Sequence, residues 1–423
     1  MKVVVTVLED TCEAAVDAIR AISEKHDLVE VRAERFPSID LHAIRAATSK
    51  EILLTYRSAP SVTSHGMVFA AGIDFVDVEW HVGVAVERPE RTVISHHDYQ
   101  GMHDIEAIMS NMSALGCAHT KLAATPHHFA DNERLLELLR TAPCASSTVI
   151  GMGERGLYSR ILAPFRGSAL TFVAATNVAA PGQLTLARAR EIYGSEPQRA
   201  ERVFAIVGNP ASHSRSPAIH NRLFREKGVP AAYTIASIER FDEITDAFLR
   251  GEPCGLSITT PFKEEAFLFA AIGEVGENAR RARAVNTLVN VNGRIFADNT
   301  DVDGFAALLP QARQAAVVGA GATARAALVA LENAGIPAMV YNRTVSKADA
   351  PLEALRDFRG DLIINTLPAG TGVAIPRCGT YIEAAYSGDS APVEADVRIG
   401  GLELLRAQAV RQHQLFMRIF DGV

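Results

Sequence analysis

HTKLAAT (residues 119–125) sets a lysine in the middle of a short apolar run. The run has the length and composition of a buried strand. A lysine there must be paired or must give up its charge, because desolvation penalises the ion. The alternative is an edge-strand lysine that snorkels its head into water. The neighbouring sequence bears on the choice, since the run is one of a series. Short apolar, β-branched runs recur at 3–8 (VVVTVL), 28–34 (LVEVRAE), 52–57 (ILLTYR), 75–80 (FVDVEW), 92–97 (TVISHH), 119–124 (HTKLAA), 147–153 (STVIGMG) and 169–175 (ALTFVAA). Helical patterns such as TCEAAVDAIRAISEKH and ADNERLLELLRTA separate most of them. Eight strands alternating with helices predict an α/β fold, a (β/α)8 TIM barrel, over the first 190 or so residues. The crossover after the fourth run, HVGVAVERPERT, is too short for a full helix.

Composition bounds what such a chain does. At 423 residues it exceeds one ordinary core, so two or three domains are expected, and 48% hydrophobic residues are enough to fill them. The balance of 42 basic against 49 acidic residues, without a basic run or an aromatic-interleaved patch, argues against nucleic acid as a partner. Five scattered cysteines without CxxC spacing argue against a zinc site and for a reducing compartment. The N-terminus runs directly into a strand and a helix, without a signal-peptide pattern, and no apolar stretch reaches the length of a membrane span. The expectation is a cytoplasmic enzyme acting on small molecules, with no membrane partner.

Barrel active sites sit at the C-terminal ends of the strands. The polar residues there are Glu30 and Arg32 on strand two, Arg57 on strand three, Glu79 on strand four, His97 on strand five and Lys121 on strand six. A lysine amine in a low-dielectric pocket beside a potentially cationic histidine is expected uncharged, and able to form a Schiff base with a ketone. The iminium is an electron sink, and His97, with a pKa near neutrality, can remove the adjacent proton and return it to a departing hydroxyl. Glu79 would hold the imidazole. Arg32 and Arg57, with Arg160 in GLYSRIL, would bind a carboxylate through bidentate hydrogen bonds.

Residues 193–202 (YGSEPQRAER) read as a polar linker, and a new domain opens at VFAIVGNP. GNPASHSRSPAIHN places the hydroxyls of Ser214 and Ser216 in a turn ahead of a helix, where they can bind a carboxylate or simply cap the helix. GLSITTPFK ends a strand at Lys263, AVNTLV carries Asn286, and ADNTDVDGF carries Asn299 and Asp301. A lysine and an aspartate near a nicotinamide would polarise a carbonyl and relay the proton that accompanies a hydride. In AAVVGAGATARAALVALENAGIPAMVYNRT, a strand runs into Gly319, Ala320, Gly321, Ala322 and Ala324, then a helix with a Gly335 C-cap, then a second strand ending at Asn342, Arg343 and Thr344. A GxGxxA turn in that context lets backbone amides reach a pyrophosphate. A cation, rather than a carboxylate, at the end of the second strand favours NADP(H) over NAD; the plainer reading is a structural βαβ turn with an exposed arginine.

Two resemblances follow from these motifs. ISHHDY, HTKLAAT, GLYSRILAPFRGSALTF and AAPGQ, in that order with LVEVRAE, LLTYRS and DFVDVEW before them, resemble the type I 3-dehydroquinate dehydratases over residues 3–192. The resemblance implies Lys121 as the Schiff-base lysine, His97 as proton shuttle, and Glu30, Arg32, Arg57, Arg160 and Gln183 as substrate ligands. The chain departs from that family at Ala179, where a serine is usual, and in SAPSVTSHG, which lacks the usual Glu-Gly-Gly. From HSRSP through TTPFK, AVNT, NTDVDG, GAGATARA and NRT to GGLELLRAQAVRQHQLF, residues 203–421 resemble shikimate dehydrogenase. That resemblance implies Lys263 and Asp301 as the catalytic pair, and Ser214, Ser216, Thr259, Asn286, Tyr386 and Gln408 as substrate ligands. Departures are Ser257, Arg283 and Ala297 in place of Asn, Gly and Gly, and NTLPAG for the usual NATPxGM.

Three domains are therefore expected: a barrel over 1–192, a substrate-binding domain over 203–303 and 396–423, and a Rossmann-like NADP-binding domain over 304–395. The implied activity is bifunctional, with Schiff-base dehydration of 3-dehydroquinate to 3-dehydroshikimate followed by NADPH-dependent reduction to shikimate. The rival readings are a lysine-dependent aldolase, an active dehydrogenase with an impaired barrel, and a non-catalytic quinate-type sensor.

Overall fold

The computed structural model describes residues 1–36, 38–56, 65–142, 146–175, 181–386 and 393–422. The eight apolar runs of the N-terminal half are the strands β1 (Lys2–Val7), β2 (Leu28–Arg32), β3 (Glu51–Tyr56), β4 (Phe75–Glu79), β5 (Thr92–Asp98), β6 (His119–Ala124), β7 (Ser147–Gly151) and β8 (Leu170–Ala174). Their order is β7-β6-β5-β4-β3-β2-β1-β8, every ladder parallel. Between β7 and β8 the barrel closes by individual bonds rather than a ladder: Ala169 N donates to Ser147 O at 2.9 Å and Leu170 N to Thr148 Oγ1 at 3.0 Å. As the length of HVGVAVERPERT requires, only the 3-10 turn Pro89–Arg91 stands between β4 and β5. Elsewhere full helices cross over, such as Cys12–Ala21, whose N-cap Thr11 accepts from Ala14 N at 3.2 Å, and Phe129–Thr141.

Strand alternation sorts the barrel into layers. Val4, Leu28, Leu53, Val93, Ala123, Ile150, Leu170 and Phe172 form one apolar inner cluster. On the inward face of adjacent strands, register lines up Glu79 with Ser95, Ser95 with Lys121, and Lys121 with Thr148. A row of polar side chains is thus delivered to one level of the barrel by pairing alone.

After β9 (Arg202–Gly208) comes β10 (Ala231–Ser237). Residues 1–201 and 224–238, β10 included, form one compact unit, in which Thr234 Oγ1 donates to Tyr158 O at 2.9 Å. Residues 202–223 and 239–423 form a second unit. Its strands β11 (Gly255–Ile258), β12 (Glu274–Val275), β13 (Thr287–Val291) and β14 (Arg294–Asp298) run with β9 in the order β9-β11-β13-β14-β12, mixed in direction. Then β15 (Ala315–Val318), β16 (Ala338–Asn342), β17 (Ala350–Pro351), β18 (Leu362–Asn365), β19 (Cys378–Glu383) and β20 (Ala395–Ile399) make a parallel sheet ordered β17-β16-β15-β18-β19-β20. That is the doubly wound order whose strand sequence reverses between β15 and β18, which is where such sheets bind ligands. The helix Gly401–Asp421 returns to this unit, seating Phe416 against Phe204 with ring centroids 4.8 Å apart. Among the described residues no helix is long and apolar enough to cross a membrane.

Candidate active sites

In the barrel, Lys121 is 1% exposed. Its Nζ donates to Asp77 Oδ2 at 2.8 Å, lies 3.8 Å from Glu30 Oε1 and sits 4.1 Å from the centroid of the Phe172 ring. The snorkelling alternative is excluded by this burial. Two carboxylates face the amine, Asp77 from β4 and Glu30 from β2, and strand alternation puts Asp77 on the same face of β4 as Glu79. Glu30 is itself held by Thr6 Oγ1 at 2.6 Å and Thr55 Oγ1 at 2.9 Å. Ser95 Oγ lies between Asp77 and Glu79, donating to Asp77 and standing 3.3 Å from Glu79 Oε2. Glu79 in turn accepts from His97 N at 2.8 Å and from His97 Nδ1 at 2.6 Å. The expected carboxylate beside the imidazole is therefore present, and by accepting from Nδ1 it favours the tautomer with its proton there. A continuous polar path, Lys121–Asp77–Ser95–Glu79–His97, joins the amine to the imidazole. One layer further in, His119 bonds Ser146 Oγ at 2.6 Å and Thr148 Oγ1 at 2.9 Å; burial, with the Lys121 charge, pushes it down to about 4, so it stays neutral.

The other residues named for the barrel divide. Gln183 Nε2 reaches Thr6 Oγ1 at 3.5 Å, beside Glu30. Arg32 is paired with Glu34, both side chains largely buried, so a substrate carboxylate would have to share the guanidinium. Arg160 is buried on the helix Leu157–Leu162, its Nε donating to Gly151 O at 2.9 Å at the C-terminal end of β7; burial lowers it to about 10, which still leaves it charged at neutral pH. Arg57, Ala179 and the stretch 57–64 lie outside the described residues. Asp77 went unselected in the sequence, although its spacing of two from Glu79 places both on one face of a strand.

In the second unit a cleft of about 420 Å³ is lined by Ser214, Ser216, Thr259, Lys263, Asn286, Asp301, Thr323, Tyr386, Gln408 and Gln412. Every substrate-lobe residue singled out from the sequence is in that lining except Asn299, which is fully buried and holds the loop by accepting from Asp301 N and donating to Ala284 O. Lys263 Nζ donates to Asp301 Oδ2 at 2.6 Å and to Thr323 Oγ1 at 3.3 Å. Asn286 Nδ2 donates to Asp301 Oδ1 at 2.9 Å, so the carboxylate is gripped at both oxygens. Asn286 Oδ1 accepts from Thr300 N at 2.8 Å, and Gln408 Oε1 accepts from Thr300 Oγ1 at 2.9 Å. Ser257, the departure at a usual asparagine, donates to Gln412 Oε1 at 2.7 Å; Gln412 Nε2 donates to Thr287 Oγ1 at 2.8 Å. Gln412 escaped the sequence reading, though it lies one helical turn beyond Gln408 and so shares its face. Arg283 has φ 50° as the cap of the helix Glu277–Ala282, with its side chain exposed. The long cation thus points outward, and its cost is the left-handed backbone that glycine would take freely.

The βαβ turn expected to hold a dinucleotide has the required shape. Gly319 has φ 106°, and a Cβ there would stand 2.5 Å from Thr366 Oγ1; at Gly321, the N-cap of the helix Ala322–Asn333, a Cβ would meet nothing within 4 Å. Small residues here leave open space over the helix N-terminus, which suits a pyrophosphate. Asn342 ends β16, Nδ2 bonding Thr344 O at 3.3 Å, and Arg343 and Thr344 are exposed beyond it, a cation available to a 2′-phosphate.

Comparison with known proteins agrees with this division. The type I 3-dehydroquinase family model matches residues 3–199, and that of the shikimate dehydrogenase substrate binding domain matches residues 206–288. The chain is 30% identical over 420 residues to the pentafunctional AROM polypeptide of Zygosaccharomyces rouxii (88% of this chain, 26% of the relative). It is 26% identical over 379 residues to the chloroplastic bifunctional 3-dehydroquinate dehydratase/shikimate dehydrogenase of Arabidopsis thaliana (78% and 62%), and 27% identical over 395 residues to the shikimate biosynthesis protein AroDE of Chlamydia pneumoniae (84% and 81%). The chain thus spans about a quarter of the yeast relative and under two thirds of the plant one. Those matches fall on the two units that carry the lysine sites: residues 3–199 are similar to the type I 3-dehydroquinases, and residues 206–288 to the substrate binding domain of the shikimate dehydrogenases.

Proposed function

We propose that the chain dehydrates 3-dehydroquinate in the barrel and reduces the resulting 3-dehydroshikimate to shikimate with NADPH in the second unit. The observation that carries this reading is Lys121, buried at the barrel's inner face against Asp77 and linked through Ser95 and Glu79 to His97. For the amine to add to the ketone carbon, one ammonium proton must leave, and Asp77 Oδ2 at 2.8 Å is placed to take it. The carbinolamine loses water to give an iminium. His97 Nε2 then removes the proton from the adjacent carbon, the electron pair moving into an enamine. The same imidazole returns the proton to the β-hydroxyl, which departs as water as the ring double bond forms. Hydrolysis of the imine releases the conjugated ketone and restores the amine. Glu30, Arg32, Arg57, Arg160 and Gln183 are assigned to the substrate's hydroxyls and carboxylate.

In the cleft, Ser214, Ser216, Asn286, Tyr386 and Gln408 would bind the ring substituents, and the ammonium of Lys263, held by Asp301, would donate a proton to the carbonyl oxygen as it becomes a hydroxyl. NADPH, when bound, supplies the hydride. The residues that would hold it are Gly319–Ala322 at the pyrophosphate and Asn342, Arg343 and Thr344 at the 2′-phosphate. On this reading 1–192 is the dehydratase domain, 203–303 with 396–423 the substrate-binding domain and 304–395 the coenzyme domain. Free thiols at Cys12, Cys254 and Cys378 support a cytoplasmic location.

The test is to supply 3-dehydroquinate with NADPH to the purified chain and follow coenzyme oxidation. Turnover from 3-dehydroquinate is expected, as is a borohydride-stable adduct on Lys121. Oxidation with 3-dehydroshikimate but never with 3-dehydroquinate would end the dehydratase reading and leave the dehydrogenase.

A further inference from the structure

The contact between Lys263 and Thr323 joins two elements that the reduction needs separately. Lys263 opens the helix Lys263–Phe269, and Thr323 is the second residue of the helix Ala322–Asn333, whose first-turn amides form the expected pyrophosphate cradle. The side chain of Thr323 faces the substrate cleft while its own N–H belongs to the cradle. Lys263 Nζ donates to Thr323 Oγ1 at 3.3 Å and to Asp301 Oδ2 at 2.6 Å, so the ammonium hangs between the coenzyme-side wall and the substrate-side wall. A second tie runs parallel to it: Arg325, two residues on, donates to Glu264 Oε1 at 2.7 Å and to Ala282 O at 2.7 Å, locking the two helix starts together. Neighbours 263–264 are thus gripped by neighbours 323 and 325. An acceptor hydroxyl aimed at an ammonium favours its charged form and limits where it can swing.

We propose that Thr323 is a positioning residue for the reduction, its hydroxyl holding the Lys263 ammonium in register with the coenzyme cradle. This rests on the dehydrogenase reading for its consequence in turnover, but the contact itself can be read without turnover. The experiment compares the full chain with Thr323→Val, which keeps the branched shape and removes the acceptor, and Thr323→Ser, which keeps the acceptor. The first readout is labelling of Lys263 by acetic anhydride as a function of pH, measured by peptide mass spectrometry in the absence of coenzyme. Thr323→Val should label roughly three- to tenfold faster at a given pH, and Thr323→Ser should match the wild-type chain. The second is steady-state reduction of 3-dehydroshikimate. Thr323→Val should lose roughly fivefold in kcat, with its alkaline limb moved to lower pH, and should keep KM for 3-dehydroshikimate and the calorimetric Kd for NADPH within about twofold. Equal labelling in all three chains would overturn the proposal, as would a loss confined to NADPH affinity. If the wild-type chain fails to oxidise NADPH while the labelling difference stands, it is the dehydrogenase reading that falls.

Discussion

Two lysines carry the proposed chemistry, and their settings differ. Lys121 is enclosed in a barrel, 1% exposed, with carboxylates and an aromatic face around it. Lys263 stands in an open cleft, its side chain 12% exposed, and its partners are one carboxylate and one hydroxyl. Both have an aspartate within 2.8 Å. Enclosure suits a nucleophile: once the proton has moved to Asp77, a dry surrounding keeps the amine free of water and protects the imine from early hydrolysis. An open cleft suits a proton donor, which must receive a substrate and a coenzyme together and recover its proton from solvent each turn. What distinguishes the two is therefore access, set by a ring of strands in one case and by the switch point of an open sheet in the other.

The comparison breaks most visibly on mutation. Lys121→Ala is expected to abolish dehydration of 3-dehydroquinate, by roughly 10⁴-fold or more, and leave reduction of 3-dehydroshikimate untouched. Asp301→Asn should do the reverse, lowering reduction by roughly 10²- to 10³-fold with dehydration intact. Separate assays on the two substrates check both, and cross-inhibition of the untouched reaction would contradict independent sites.

Asp77→Asn sharpens the contrast in stability. It leaves the buried Lys121 with the Glu30 carboxylate at 3.8 Å and the Phe172 ring, and removing one member of a buried pair costs about 3 kcal/mol. Urea unfolding should show that loss in the transition of the barrel, and Asp301→Asn, in the second unit, should leave that transition unchanged.

Acid reads the same difference through histidines. Burial lowers His119 in the barrel to about 4 and, with the His413 charge, lowers His220 in the second unit to about 3. A group depressed in the folded state contributes stability that is complete above its unfolded value near 6.5 and is lost as pH falls toward the folded value. Stability should be level above pH 6.5 and then drop by about 1.4 kcal/mol per pH unit for each histidine, down to about pH 4 for His119. Urea midpoints across pH 4–8 test this, and His119→Asn should flatten the slope of the barrel's transition alone.

The smallest effect is expected at Arg283. Replacing it with glycine relieves the φ of 50° and should stabilise the second unit by about 0.5–1 kcal/mol, with unchanged activity because the side chain is exposed. A fall in KM or kcat beyond twofold would show that the cation does more than cap a helix.

The strands of the barrel could be read from the chain because each is a run of apolar residues bounded by helix patterns; β6 falls on the expected residues 119–124. Lys121, His97, Lys263 and Asp301 were visible because a charge in or beside an apolar run is conspicuous. Asp77 was not selected, because one carboxylate within FVDVEW looks like any other until pairing shows which face is inward and what stands opposite. Gln412 beneath Asn286 and Thr323 beside Lys263 were missed for a related reason: each is an ordinary polar residue whose importance comes from a partner far away in the chain.

Local pattern by itself determined the elements, their alternation and the residue types able to do chemistry, because periodicity and turn residues act over a few positions. Only the tertiary structure decided who meets whom. Register set Lys121 level with Ser95 and against Asp77, and the strand reversal beside β15 opened the cleft over Lys263. A buried charge is governed by its nearest counter-charge, and that neighbour is chosen by how strands close into a ring, which no short stretch of sequence contains.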